Sequence, residues 1–176
     1  MIENLISSKT RVKLLLKFFL NSNISSYLRG LESEFGESSN SIRLELNKLE
    51  EAGLLSSNVQ GNKKYFKANT DHPLYDDINS ILLKFTGLDK IVDNVIANLG
   101  DLESVFVVGN LAKGLSSEVI DLVFVGDIDK VYLFDLIQKV ETLISKKIKY
   151  VNYLSAEFSE EEFNSHKNRN LLLWSK

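Results

Sequence analysis

A chain of 176 residues, 44% hydrophobic with a mean hydropathy of −0.07, can form one large or two small domains and bury a core. It has no cysteine, which excludes disulfides, thiol catalysis and thiolate metal sites, and no apolar run approaches the ~18–20 residues of a membrane span. The net charge of −3 is unevenly spread: residues 1–86 carry 11 of the 21 basic and 10 of the 24 acidic side chains, and residues 87–176 carry 10 and 14. Neither half is polybasic, so affinity for nucleic acid would have to come from local patches and a dimer. The opening M-I-E-N-L-I-S-S-K-T lacks the basic-then-apolar order of a signal peptide, and a cytoplasmic protein with no membrane contact is expected.

In chain order, Lys9 to Leu20 reads as a helix with Val12, Leu15, Leu16 and Phe19 inward and Ser7 or Ser8 as its cap. After the turn cluster N-S-N-I-S, Ser25 or Ser26 opens a second helix, Tyr27 to Phe35, which Gly36 breaks. Ser38 then caps a third helix over 38–52, whose Ile42, Leu46, Leu49 and Ala52 form an apolar stripe. Ser39, Asn40, Arg43 and Asn47 occupy another face, short, polar and rich in donors, the chemistry needed to read base edges in a major groove. The same pattern also fits a plain solvated helix face, and Glu45, Glu50 and Glu51 sit awkwardly with a DNA-reading role. Over 54–69, two strands around Q-G-N-K form a hairpin with Gly61 at the positive φ, placing Lys63, Lys64 and Lys67 beside it. Pro73 precedes a helix from Leu74 to Phe85 with Leu74, Ile78, Ile81, Leu82 and Phe85 as its stripe.

Together S-S-K-T-R-V-K-L-L-L, G-E-S-S-N-S-I-R-L-E-L-N-K-L-E-E-A-G-L-L and G-N-K-K-Y-F-K-A-N resemble a winged helix-turn-helix transcriptional regulator of the ArsR-like type, over roughly residues 5–86. That resemblance implies a third helix in the major groove, a wing on the DNA backbone and a homodimer. Metal sensing through thiolates is not carried over, because the cysteines are missing.

In the second half, Leu88 to Leu99 is a helix, and S-V-F-V-V at 104–108 is a strand followed by G-N-L-A-K-G. Val119 to Val125 is a second strand, Asp129 to Lys147 a helix, and Ile148 to Leu154 a third strand. Val131, Leu133, Phe134, Ile137, Val140, Leu143 and Ile144 are expected inward on that helix. Ser159 to Asn168 reads as a charged helix, with L-L-L-W as a last short element and Trp174 as a core plug. The run V-F-V-V-G-N-L-A-K-G-L-S-S-E-V-I-D-L-V-F-V resembles the nucleotidyltransferase signature of the DNA polymerase beta-like superfamily, minimal type, over about residues 88–160.

Nucleotidyl transfer needs two metal ions held by carboxylates. Matched to that signature, the chain keeps Gly109, Lys113 and Gly114, has Asn110 at the serine, Val119 at the first metal aspartate, and only Asp121 at the second. The strand that would supply a third carboxylate has none, and Glu118 points to the opposite strand face from Val119. A catalytically inactive domain is therefore expected, with no metal and no cofactor. Gly109, Asn110, Lys113, Gly114 and Asp121 could remain as a vestigial phosphate or nucleotide loop, or be turn chemistry alone. Isolated His72 and His166 have no partner at ligand spacing.

The fold class expected is thus α+β: a winged helix-turn-helix domain, residues 1–86, followed by a small α/β nucleotidyltransferase-like domain with a short mixed sheet, residues 87–176. The function expected is a DNA-binding transcriptional regulator that reads a two-half-site operator in double-stranded DNA as a homodimer. Asn40, Arg43 and Asn47 would read bases, Ser39 and Ser41 would hold phosphate at the helix N-terminus, and Lys63 and Lys64 would grip the backbone. The second domain would dimerise or sense an unidentified small-molecule or nucleotide effector. Two alternatives stand beside it: a residual nucleotidyltransferase, and an antitoxin-like protein-interaction module.

Overall fold

The structure, a computed structural model, describes residues 6–159, 161, 163 and 170–176. It is mixed α+β, and the chain falls into two compact units, Met1–Phe85 and Thr86–Lys176.

In the first unit, helix α1 (Lys9–Leu15) starts at Ser8, whose hydroxyl accepts the Arg11 N–H at 3.2 Å. It widens into a π-helical turn, Leu16–Leu20, in which all five residues are buried. One of them is Lys17, fully shielded and ion-paired with Glu34. A lone buried ammonium would be costly, and the carboxylate partner makes it tolerable. The expected second helix begins one residue late, at α2 (Leu28–Phe35), and neither Ser25 nor Ser26 caps it. The backbone there is spent on a two-residue strand, β1 (Ser26–Tyr27), which pairs antiparallel with a later strand through Ser26↔Phe66 and Tyr27↔Tyr65. Gly36 closes α2 in the left-handed conformation.

Helix α3 (Ser39–Glu51) is capped by Ser38, which accepts the Ser41 N–H. Ile42, Leu46 and Leu49 are buried as the spacing predicts; Ala52 is exposed instead, because the helix has ended and Ala52 is its C-cap. The stop is a Schellman motif: the N–H of Gly53 donates to Glu50 O and that of Leu54 to Leu49 O, both at 2.9 Å. Strands β2 (Leu55–Gln60) and β3 (Lys63–Ala68) form the hairpin, with Gly61 at φ +62° in its turn. The three-stranded sheet runs β1-β3-β2. Helix α4 (Tyr75–Thr86) is tied back to the π-helical turn by Asn79 Nδ2 donating to the Phe19 carbonyl at 2.7 Å and by stacking of Tyr75 on Phe19. Of its expected stripe only Leu82 is buried. Leu74 and Ile81 lie exposed and Ile78 and Phe85 half-buried.

In the second unit, α5 (Leu88–Asn94) and a 3-10 turn (Ile96–Asn98) lead into strand β4 (Leu102–Val108), the four-residue helix α6 (Gly109–Ala112) and β5 (Val119–Gly126). Helix α7 (Lys130–Ile144), capped by Asp129, and β6 (Lys147–Tyr153) follow, and β7 (Leu171–Ser175) completes a sheet ordered β6-β5-β4-β7. It is a mixed sheet: β5–β6 is parallel and the other pairs antiparallel. Alternation along β5 sends Ile120, Leu122 and Phe124 to one face, all buried. Val123 and Val125 go to the other, where they join Phe106 under Phe158 and Phe163. Burial on both faces explains the apolar runs 105–108 in β4 and 122–125 in β5.

Two expectations fail here. Trp174 is no core plug: it stands half-buried on the edge strand β7, opposite Val105. On α7, Leu133, Leu136, Ile137 and Val140 are buried, but Val131, Phe134 and Leu143 are 74%, 51% and 64% exposed. The reason is angular. At about 100° per residue, Val131 and Phe134 sit roughly 165° and 105° from the centre of the buried stripe, so no single helix can bury the whole set. The charged helix expected over Ser159 to Asn168 lies, apart from Ser159, Glu161 and Phe163, outside the described residues.

Candidate functional site

The glycine turn of the second unit is built by close approach. Strand β4 ends at Val108, which pairs with Asp121, and Gly109 follows at φ +68°. A Cβ on Gly109 would lie 2.6 Å from Asp121 Oδ2, so only glycine allows the strand end and the carboxylate to meet. Asn110 and Lys113 project into solvent, while Gly114 is buried at φ +76°. The turn closes on itself: the N–H groups of Lys113, Gly114 and Leu115 donate to the carbonyls of Asn110, Leu111 and Asn110, at 3.0, 2.9 and 3.0 Å. Those three donors serve the turn's own geometry.

Next to Asp121 the parallel strand offers cations. Val119 is in register with Lys147 and Asp121 with Lys149, and strand alternation puts all four on one face. Glu141 holds Lys147 at 2.9 Å and accepts the Ile148 N–H at 2.8 Å; these two bonds, the backbone one foremost, hold its carboxyl below the ordinary range. Glu118 is exposed just before β5, its carbonyl accepting the Lys147 N–H. Among the described residues, no three His, Cys, Asp or Glu side chains gather where a metal could sit. His72 is used locally, its Nδ1 accepting the Leu74 N–H at 3.1 Å beside Pro73.

In the first unit, the seven residues assigned to DNA separate into two groups. Ser39, Asn40 and Ser41 stay at the start of α3, where Ser39 donates to Glu32 at 2.5 Å and Ser41 faces the Ser38 hydroxyl at 3.0 Å. Arg43, Asn47, Lys63 and Lys64 line one cavity of about 430 Å³ between α2, α3 and the hairpin, with Tyr27, Arg29 and Phe66. Lys63 Nζ lies 4.4 Å from the Tyr27 ring centre and Lys64 Nζ 5.1 Å from that of Phe66. Lys64 is also ion-paired to Glu50 at 2.7 Å, and Glu50 accepts from Ser57 as well; the Lys64 bond is the main reason its carboxyl is held low. Glu45, on the same helix, turns inward to Arg11 Nε at 2.7 Å. Burial would raise its carboxyl, but hydrogen bonds from Arg11 and Ser8 and the charges of Arg11 and Lys48 bring it below the usual range. Tyr27, Arg29 and Phe66 escaped the sequence reading because β1, which brings α2 against the hairpin, is too short for any periodicity to announce.

No protein-family model matches the chain, and no curated protein matches it. Similar solved structures include toxin–antitoxin proteins. One is the toxin–antitoxin MntA–HepT, at 15% identity and TM-score 0.36 over 53% of this chain and 73% of that one. Another is the tri-AMPylated Shewanella oneidensis HEPN toxin in complex with MNT antitoxin, at 17% and 0.38 over 53% and 72%. A third is a toxin–antitoxin with AMP-PNP, at 16% and 0.38 over 50% and 73%. Similarity at this level assigns no family. The expectation of a DNA-binding transcriptional regulator is nevertheless corrected. The groups meant for an operator have other engagements. Lys64 is neutralised by Glu50, Lys63 lies on Tyr27, and Ser39 is bonded to Glu32.

Proposed function

We propose that this chain is the antitoxin-like member of a protein pair, binding its partner protein through the outer side of α7. The carrying observation is that four large apolar side chains, Val131, Tyr132, Phe134 and Leu143, stand exposed around the outer half of one 15-residue helix. Large apolar side chains left exposed on a surface helix mark a candidate protein-interaction site. The toxin–antitoxin neighbours suggest which kind of partner to try first and add no weight beyond that. In this reading the second unit is a nucleotidyltransferase-like domain that transfers nothing, since Val119 and the carboxylate-free β6 leave Asp121 alone among cations. The first unit is a winged helix kept for pairing; the three helices, the hairpin and the β1–β3 ladder support that description.

The test is co-expression with the protein encoded beside this chain. That protein alone should arrest growth, this chain should relieve the arrest, and the two should purify together. Phe134→Asp and Leu143→Asp should each abolish co-purification and relief while leaving the far-UV circular dichroism unchanged. A complex indifferent to both substitutions would place the interface elsewhere. Labelled nucleotide transferred to the partner with Mg²⁺, and lost in Asp121→Asn, would overturn the inactive reading.

A further inference from the structure

The cavity of the first unit has a chemistry that protein pairing does not use. Arg29 from α2, Arg43 from α3 and Lys63 and Lys64 from β3 converge on it, and no Asp or Glu is among its lining residues. Lys64 has Glu50, but Arg29, Arg43 and Lys63 make no ion pair among the described residues. Three uncompensated cations around one concavity repel one another, a cost that a bound anion would remove.

Between these charges the walls are apolar and aromatic. Tyr27 stands edge-on to Tyr65, with ring centres 5.3 Å apart. Gly30 makes room for it: a Cβ there would come within 3.3 Å of the Tyr27 ring. Phe66 and Leu46 are buried behind the opening. At about 430 Å³ the space falls within the range of sites that take small organic ligands. A bare anion such as phosphate would leave the aromatic wall unused, and an apolar ligand would leave the cations unpaired. The ligand that satisfies both has a flat ring at one end and several negative charges at the other.

We infer that this cavity binds a nucleoside polyphosphate, its base against Tyr27 and its phosphates held by Arg29, Arg43 and Lys63. Arg43 supplies a planar fork suited to two phosphate oxygens, and Lys63, whose Nζ rests over the Tyr27 ring, swings from it to a phosphate as the base takes its place. With no carboxylate in the lining, binding needs no divalent metal.

The experiment is calorimetric titration of the full chain in EDTA at low salt with ATP, adenosine and tripolyphosphate. ATP should bind at least tenfold more tightly than either fragment, and its affinity should fall as salt is raised. Arg43→Ala and Lys63→Ala should each weaken ATP about tenfold. Tyr27→Leu should weaken ATP and adenosine but leave tripolyphosphate unchanged, a split that loss of folding could not produce. Lys113→Ala, in the other unit, should change nothing. The inference is overturned if ATP binds no better than tripolyphosphate, or if no heat is seen at millimolar ATP. It is equally overturned if Lys113→Ala abolishes binding that Arg43→Ala leaves intact, or if an acidic tyrosine-containing peptide binds more tightly than ATP.

Discussion

Gly109→Ala would force a side chain into the left-handed region and against a carboxylate at once. The first effect costs about 1–2 kcal/mol, the penalty for an L-residue at a φ near the +68° observed. The second follows from the 2.6 Å that would separate the new Cβ from Asp121 Oδ2, with Cγ at 3.3 Å behind it. The oxygen is the far end of a side chain and can rotate aside, at roughly 0.5–1.5 kcal/mol for an unfavourable rotamer. The sum is about 1.5–3.5 kcal/mol. In an Asp121→Ala background both crowding atoms are gone and only the first effect remains, so the two substitutions should couple by about 1 kcal/mol. The assay is urea unfolding followed by the fluorescence of Trp174, the one tryptophan of the chain, which sits on β7 and reports the second unit alone. Equal cost of Gly109→Ala in both backgrounds would refute the close approach. A cost below about 0.5 kcal/mol in either would refute the left-handed requirement as well.

Three further outcomes follow from the packing. Glu34→Ala removes the carboxylate paired with the buried Lys17 ammonium and should cost about 3 kcal/mol by urea unfolding followed by circular dichroism, whereas the double change Lys17→Met, Glu34→Leu should be nearly neutral or stabilising. Ser145 ends α7 at φ 54°, so Ser145→Gly should gain about 0.5–1 kcal/mol by Trp174 fluorescence. Acid should destabilise the first unit through Glu37 and Glu45. Burial would raise the Glu37 carboxyl, but hydrogen bonds from Lys13 and Thr10 overcome it and hold it below its ordinary value, as Arg11 does for Glu45. A folded-state pKa below the unfolded one stabilises fully above the unfolded value of about 4.3, and that stability is lost as pH falls through the folded value. The urea midpoint at 222 nm should therefore be flat with respect to these groups above about pH 5.5 and fall below about pH 4.5. A Glu37→Gln, Glu45→Gln double variant that keeps the wild-type slope would contradict this.

The local chemistry of the chain was well advertised. Ser8, Ser38 and Asp129 cap helices by bonds that involve only three or four neighbouring residues, and Gly36, Gly53 and Gly61 mark turns that glycine alone makes cheaply. Valine at position 119 and the absence of any carboxylate on β6 could also be read directly, since strand alternation carries those positions to one face. Long-range features were not legible. Lys17 sits in an apolar run where a snorkelling lysine is the ordinary expectation, and its burial against Glu34 depends on a residue from another helix. On α7 the apolar residues outnumber the positions of one stripe, so periodicity could not say which would stay in water. The cavity draws on α2, α3 and β3, and its aromatic wall depends on two residues of β1–β3 pairing that no pattern announces. Seen from α3 alone, Arg43 and Asn47 belong to a reading helix; seen with Tyr27 and Phe66 they belong to a pocket.

The place of β7 has a consequence in time. Val105 is paired with Trp174, so one edge of β4 waits for a strand translated after everything from 109 to 170. At about 5–20 residues per second that wait is on the order of three to twelve seconds. Once β5 has been made within it, the run Val105, Phe106, Val107 can be hydrogen-bonded to β5 on one side while still open on the other, a short apolar edge able to recruit any strand that passes. Synthesis of this chain therefore contains a fixed interval in which its own sheet is unfinished. A partner that binds during translation, or a chaperone that shields β4, would act on the yield of folded protein without touching the stability of the finished one.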